Sequence, residues 1–79
     1  MPIVLRNGPY RIGFFSNENL EPPHVHVDRD YKQAKFWLTP MVRLEANSGF
    51  AGHELTRIRR IVEQYREILL EKWHEHHRR

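Results

Sequence analysis

The last third of the chain carries apolar side chains at steps of three and four residues. Leu55, Ile58, Leu69 and Trp73 belong to this series, and charged residues occupy the positions between them. Such spacing lines one side of a helix with 3.6 residues per turn. The pattern therefore predicts one amphipathic C-terminal helix over about residues 53–77, with a solvated charged side.

The part of the chain before this helix alternates apolar and polar residues with a period of two, which is typical of half-buried strands. Turn-forming residues interrupt the alternation at Asn7-Gly8, at Asn17–Pro23, at Asp28–Asp30 and at Thr39-Pro40. Strands are thus expected over about residues 3–46. The side chains expected to face the helix are Ile12, Phe14, Val25, Val27, Ala34, Phe36, Leu38, Val42 and Leu44.

These elements predict an α+β fold. A small, mostly antiparallel sheet of four or five strands is covered on one face by the single C-terminal helix, and residues 1–79 form one domain. A chain of 79 residues buries only a thin core, so a partner that covers more surface is expected.

Strict alternation places a second set of side chains on the opposite face of the sheet. This predicted binding face holds Arg11, Phe15, His24, His26, Lys35, Trp37 and Arg43. A face that meets only water more often carries Thr, Lys and Glu. An exposed tryptophan among imidazoles and cations therefore indicates contact with another molecule.

The amino-acid composition limits which metal sites, nucleophiles and partners the chain can have. The chain has no cysteine, which excludes disulfides, thiolate metal sites and cysteine nucleophiles, so any metal ion must use histidine and carboxylate ligands. Thirteen Lys and Arg against ten Asp and Glu give a net charge of +3, which permits an acidic partner such as RNA. No stretch is apolar enough to span a membrane, and the chain is expected to be soluble, unprocessed and cytoplasmic, without a membrane partner.

Three interpretations apply to His24 and His26, which alternate on one strand. They could ligate a divalent metal ion together with the carboxylate of Asp28, Asp30 or Glu45, because two imidazoles alone are too few for a stable zinc site. They could act as the acid and base of a metal-independent ribonuclease. They could also be structural side chains that hydrogen-bond to the preceding loop. No cofactor is expected, unless the two histidines bind a divalent metal ion.

The tail Trp73–Arg79 concentrates imidazoles and cations at the negative end of the helix dipole, where positive charge is favourable. It is expected to be a frayed, soluble end of the helix without a function of its own.

Several motifs resemble one family. EPPHVHV at 21–27, AKFWL at 34–38, NSGF at 47–50 and a helix that opens with HEL are similar to the small bacterial family known as domain of unknown function 4160. The resemblance spans almost the whole chain. The matching motif positions are Pro23, His24, His26, Lys35, Trp37 and Leu38.

The resemblance implies a short cytoplasmic protein, often encoded beside a second small protein, in what have been suggested to be toxin–antitoxin-like pairs. It assigns no catalytic residue. One departure lies at Ala51-Gly52, where members commonly carry serine or a similar helix cap.

Two classes of function follow. In the leading hypothesis the protein is a binding component whose predicted binding face docks the neighbouring small protein or a second copy of the chain. In the alternative it is an RNA binder or a ribonuclease-type hydrolase. Lys35 and Arg43 would then bind phosphate groups of the RNA, and Trp37 would stack on a base. A histidine-based metal-binding protein is a further alternative.

Overall fold

The computed structural model describes residues 1–18 and 20–77 of the protein. Five strands precede two helices. The strands are β1 (Ile3–Asn7), β2 (Tyr10–Gly13), β3 (His24–Arg29), β4 (Lys32–Trp37) and β5 (Arg43–Ser48), and the helices are α1 (Gly52–Gln64) and α2 (Arg66–His76). The strands pair antiparallel in chain order to form one sheet. The predicted α+β class is confirmed.

The C-terminal helical region consists of two helices rather than the single helix predicted from periodicity. Tyr65 leaves helical geometry, with φ −103° and ψ 15°, and so separates α1 from α2. Directly after this break, the guanidinium of Arg66 donates to the carbonyl oxygen of Leu38 at 2.7 Å and to that of Pro40 at 3.4 Å. Arg66 therefore ties the start of α2 to the loop that follows β4.

The hydrophobic core joins the sheet and both helices. Ile58 and Val62 of α1 and Leu69 and Trp73 of α2 are buried in one cluster with the apolar side chains of the strands. Of the nine strand residues predicted to face inward, eight are buried. Leu44 is the exception, because it lies on β5, an edge strand whose residues are all exposed.

Both edge strands contain a bulge. On β5, Leu44 pairs with Phe36 and Ala46 pairs with Lys35, so Glu45 is an extra residue and the alternation changes side there. The alternation that assigned Leu44 to the inner face is therefore interrupted immediately after this residue. On β1 the register shifts in the same way between Ile3 and Leu5.

A buried carboxylate connects α1 to the sheet. The Tyr10 hydroxyl donates to Glu54 Oε2 at 2.8 Å, and Arg29 Nη1 donates to the same oxygen at 2.7 Å. The hydrogen bond from Tyr10 is the largest influence on the pKa of Glu54; together with Arg29 it outweighs the effect of burial, and the pKa is lowered. Glu54 thus anchors the first turn of α1 as a carboxylate.

In the described part of the chain, both helices are too short or too polar to cross a lipid bilayer.

Candidate metal centre

The strand register brings most of the predicted binding face together. His24 pairs with Trp37 and His26 pairs with Lys35 across β3 and β4, while Arg43 of β5 pairs with Trp37. Arg11 of β2 lies farther along, opposite Asp28 of β3. These side chains occupy the side of the sheet opposite to Val25 and Val27, which alternate with the two histidines along β3.

The expectation that this side is open is wrong at both histidines. His24 is fully buried and His26 is 9% exposed, while Arg11, Lys35 and Trp37 are partly buried. Of the seven predicted residues, only Phe15 and Arg43 are exposed. Two segments that the alternation argument left out cover the histidines: the loop between β2 and β3, and the C-terminal part of α2.

The β2–β3 loop places the carboxylate of Glu18 on the two imidazoles. Glu18 Oε1 lies 3.0 Å from His24 Nε2, and Glu18 Oε2 lies 3.0 Å from His26 Nε2. The backbone N–H of Phe15 donates to Glu18 Oε1 at 3.0 Å and so fixes the carboxylate. A ligand atom from each of these three residues lies within 4.8 Å of the others, and together they form the candidate metal centre Glu18–His24–His26.

The hydrogen bond of His24 determines which of its ring nitrogens is free. His24 Nδ1 lies 2.9 Å from the carbonyl oxygen of Pro22, which can only accept, so Nδ1 carries the proton. In the neutral ring, Nε2 then presents a lone pair. Nε2 is buried and makes no hydrogen bond, although Glu18 Oε1 is close to it. Two electron-rich atoms at this distance need a cation between or beside them, either a proton or a metal ion.

His26 completes the cluster from the same strand. Its Nε2 faces both oxygens of Glu18, at 3.1 and 3.0 Å. Its Nδ1 is buried without a partner. The ring of Phe15 packs edge-on against His26 at 5.1 Å between centroids, which narrows the access of water to this imidazole.

Aromatic rings surround His24 on its other sides. Its ring centroid lies 4.8 Å from that of Trp73 on α2, 5.6 Å from Trp37 on β4 and 5.3 Å from His26. The end of α2 is held against the β2–β3 loop, since His76 Nε2 lies 2.8 Å from the Ser16 hydroxyl. The expected frayed end is therefore ordered through His77, and Arg78 and Arg79 lie outside the described residues.

The electrostatics keep Glu18 ionised. Burial raises the pKa of Glu18, but hydrogen bonds from His26 and from the Phe15 backbone, together with the nearby His24 ring, oppose it and lower the pKa to about 2. A carboxylate that is charged at neutral pH beside two imidazoles is a suitable ligand set for a divalent transition-metal ion such as Zn²⁺.

The cluster contains none of the carboxylates predicted to complete a metal site. Asp28 lies two residues beyond His26 and accepts a hydrogen bond from Gln33 Nε2 at 3.0 Å. Glu45 accepts from the indole N–H of Trp37 at 3.2 Å. Glu18 takes the place proposed for Asp28 because the loop folds back over the sheet, and strand periodicity carries no information about a loop.

Comparison with known proteins identifies the family. The model of the domain of unknown function DUF4160 matches residues 10–74, which include every residue of the candidate metal centre and nearly all of both helices. No curated protein and no solved structure matches the chain. The chain belongs to the DUF4160 family.

Proposed function

We propose that this DUF4160 protein binds a divalent transition-metal ion through Glu18, His24 and His26. The observation that carries the proposal is the buried, unpartnered Nε2 of His24, held 3.0 Å from a carboxylate oxygen. A ring that donates its other N–H to a backbone carbonyl is oriented as metal-binding histidines usually are. The ion would supply the positive charge that these two atoms lack.

Zinc or a similar borderline ion fits this ligand set better than magnesium or calcium does. Two of the three ligands are imidazole nitrogens, whereas magnesium and calcium prefer sites made of oxygen. The absence of cysteine from the chain leaves histidine as its best nitrogen or sulfur ligand.

Isothermal titration calorimetry with zinc chloride tests the proposal. The wild type should bind one ion, and Glu18→Gln and His26→Gln should each lower the affinity at least about 100-fold, because even loss of an outer-shell partner costs up to that much. Circular dichroism in a chelator would establish that each variant is folded.

The histidines at the end of α2 require a control of their own, because neighbouring imidazoles can hold an ion adventitiously. The variant His74→Gln removes an exposed member of this group and leaves His76 in contact with Ser16 of the β2–β3 loop. It should keep the tight binding event. If this variant abolishes zinc binding while Glu18→Gln retains it, the proposed site is wrong.

A second candidate function is docking of a protein partner on the same side of the sheet, either the neighbouring small protein of a toxin–antitoxin-like pair or a second copy. It is supported by Phe15, which is 37% exposed, and by the exposed Arg43 beside the half-buried Trp37. Light scattering with and without the neighbouring protein tests it, and a monomer that ignores the neighbour at micromolar concentration would contradict it. Ribonuclease chemistry has less support, because a substrate would have to reach His24, which is fully buried.

A further inference from the structure

Three protein ligands leave a metal ion coordinatively unsaturated. Structural zinc sites are closed by four protein ligands, whereas sites with three keep a position for water or another exchangeable ligand. Within the described residues, the histidine and carboxylate cluster has three members, Glu18, His24 and His26. An ion bound there would therefore have at least one position left over, and this inference rests on the proposed metal binding.

The exposure of the three ligands shows from which side that position can be reached. The side chain of His24 is fully buried beneath the two tryptophans, whereas those of His26 and Glu18 are 11% and 16% exposed. Solvent thus approaches the cluster beside Glu18 and His26, on the side of the sheet opposite to Val25 and Val27.

Lys35 is the cation that the strand register places beside this opening. It is the direct partner of His26 across β3 and β4. Its Nζ lies 2.6 Å from Glu21 Oε1 and 4.7 Å from the ring centroid of Trp37, and its side chain remains 19% exposed. Lys35 Nζ is therefore held by Glu21 on the same side of the sheet as His26, and an incoming anion would compete with Glu21 for it.

The charge of this side of the sheet depends on the ion. Among residues 1–18 and 20–77, its cations are Arg6, Arg11, Lys35 and Arg43, and its carboxylates are Glu18, Glu21, Asp28 and Glu45. The two sets balance, so the metal-free surface has little attraction for an anion. A divalent ion at the candidate metal centre would change the balance to +2 and create a positive potential at its own open position.

We propose that the open position binds an oxygen of a small oxyanion, a carboxylate or a phosphate, and that Lys35 contributes a charge-assisted hydrogen bond to the same ligand. Binding of the oxyanion depends on the metal. Lys35 is a ligand-binding residue that does not touch the metal ion.

Cobalt(II) substitution tests the inference, because its visible absorption bands report the ligands of the ion. The wild-type protein, loaded with one equivalent of cobalt chloride, would be titrated with acetate and, in a separate arm, with inorganic phosphate, at constant ionic strength set with perchlorate. The expected result is a saturable shift of the bands. A shift with acetate alone would assign the site to carboxylates, and a shift with phosphate alone would assign it to phosphates.

Two variants of the same strand separate the role of Lys35 from a general charge effect. Lys35→Met should bind cobalt as the wild type does and should bind the anion about tenfold more weakly. Lys32→Met removes a lysine from the other side of β4 and should bind both as the wild type does.

The two proposals fail in different ways. If no one-to-one cobalt spectrum forms, metal binding is refuted and the oxyanion site with it. If the cobalt spectrum forms but neither anion moves the bands, the oxyanion site alone is refuted. Equal anion affinity in Lys35→Met and Lys32→Met would exclude the assigned role of Lys35.

Discussion

The two tryptophans of the chain offer a direct test of the packing around His24. Trp73 is 4% exposed and lies in edge contact with Phe14 at 5.2 Å and in tilted contact with His24 at 4.8 Å. Trp37 contacts the same imidazole from the other side but is only partly buried, and its indole N–H reaches Glu45. The structure therefore predicts very different costs for the same substitution.

Replacing Trp73 by alanine removes a buried ring and leaves a cavity, which typically costs about 3–5 kcal/mol. Replacing Trp37 by alanine removes a partly solvated ring, its cation–π contact with Lys35 and one exposed hydrogen bond, for which we expect about 1–2 kcal/mol. In a domain of this size, 1 kcal/mol shifts Tm by about 4–8 °C. Trp73→Ala should thus lower Tm by at least about 12 °C, and Trp37→Ala by roughly 4–16 °C.

Thermal and urea unfolding followed by far-ultraviolet circular dichroism, in the presence of a chelator, would measure both costs. Trp73→Phe should recover much of the loss because it retains an aromatic ring, and Glu71→Ala, an exposed neighbour on α2, should change Tm little. If Trp73→Ala costs no more than Trp37→Ala, the end of α2 does not pack over His24 as described.

Three further substitutions test other parts of the fold. Because the Tyr10 hydrogen bond lowers the pKa of Glu54 below its ordinary value of 4.5, ionised Glu54 stabilises the fold above that pH, and the contribution is lost as the pH falls through the folded pKa. Glu54→Gln should therefore reduce Tm at neutral pH and flatten its decline below about pH 4.5; parallel profiles would contradict this. Gly13→Ala would place a methyl group against the carbonyl oxygen of Pro2, so we expect the free energy of unfolding, measured in urea, to fall by about 3 kcal/mol. An unchanged urea midpoint would show that the start of β1 does not lie so close to Gly13. Ala51, the N-cap of α1, has extended backbone geometry and no side-chain hydrogen bond, so Ala51→Ser should raise stability by about 1 kcal/mol, whereas a lower Tm would place the cap elsewhere.

Periodicity was sufficient to predict most of the fold. The period of two identified eight of the nine apolar residues assigned to the inner face, and the steps of three and four identified Ile58, Leu69 and Trp73 as core positions. Both patterns follow directly from strand and helix geometry. The break at Tyr65 and the bulge at Glu45 were not predictable in the same way. Each lies beside a contact with a residue distant in sequence, Arg66 with Leu38 and Glu45 with Trp37, and such contacts leave no periodic signal.

The candidate metal centre was only half predictable. Alternation correctly paired His24 with His26, since neither position depends on tertiary contacts. It assigned both to an open surface because it treated Asn17–Pro23 as a loop without a place in the fold. The one available signal was a carboxylate, Glu18, in the loop directly before the two histidines. The position of Trp73 over His24 follows from the path of α2, which no local pattern encodes.

The bulges on β1 and β5 limit how copies of this protein can meet. An unpaired outer strand with regular spacing is a template on which another chain can add its own strand, and repeated addition of this kind produces fibrils. Here the extra residues at Glu45 and near Val4 make the spacing of the outward-facing main-chain N–H and C=O groups irregular on both edge strands. At high concentration, copies of this protein should therefore not associate by pairing their edge strands. A stable oligomer would have to form through side-chain contacts.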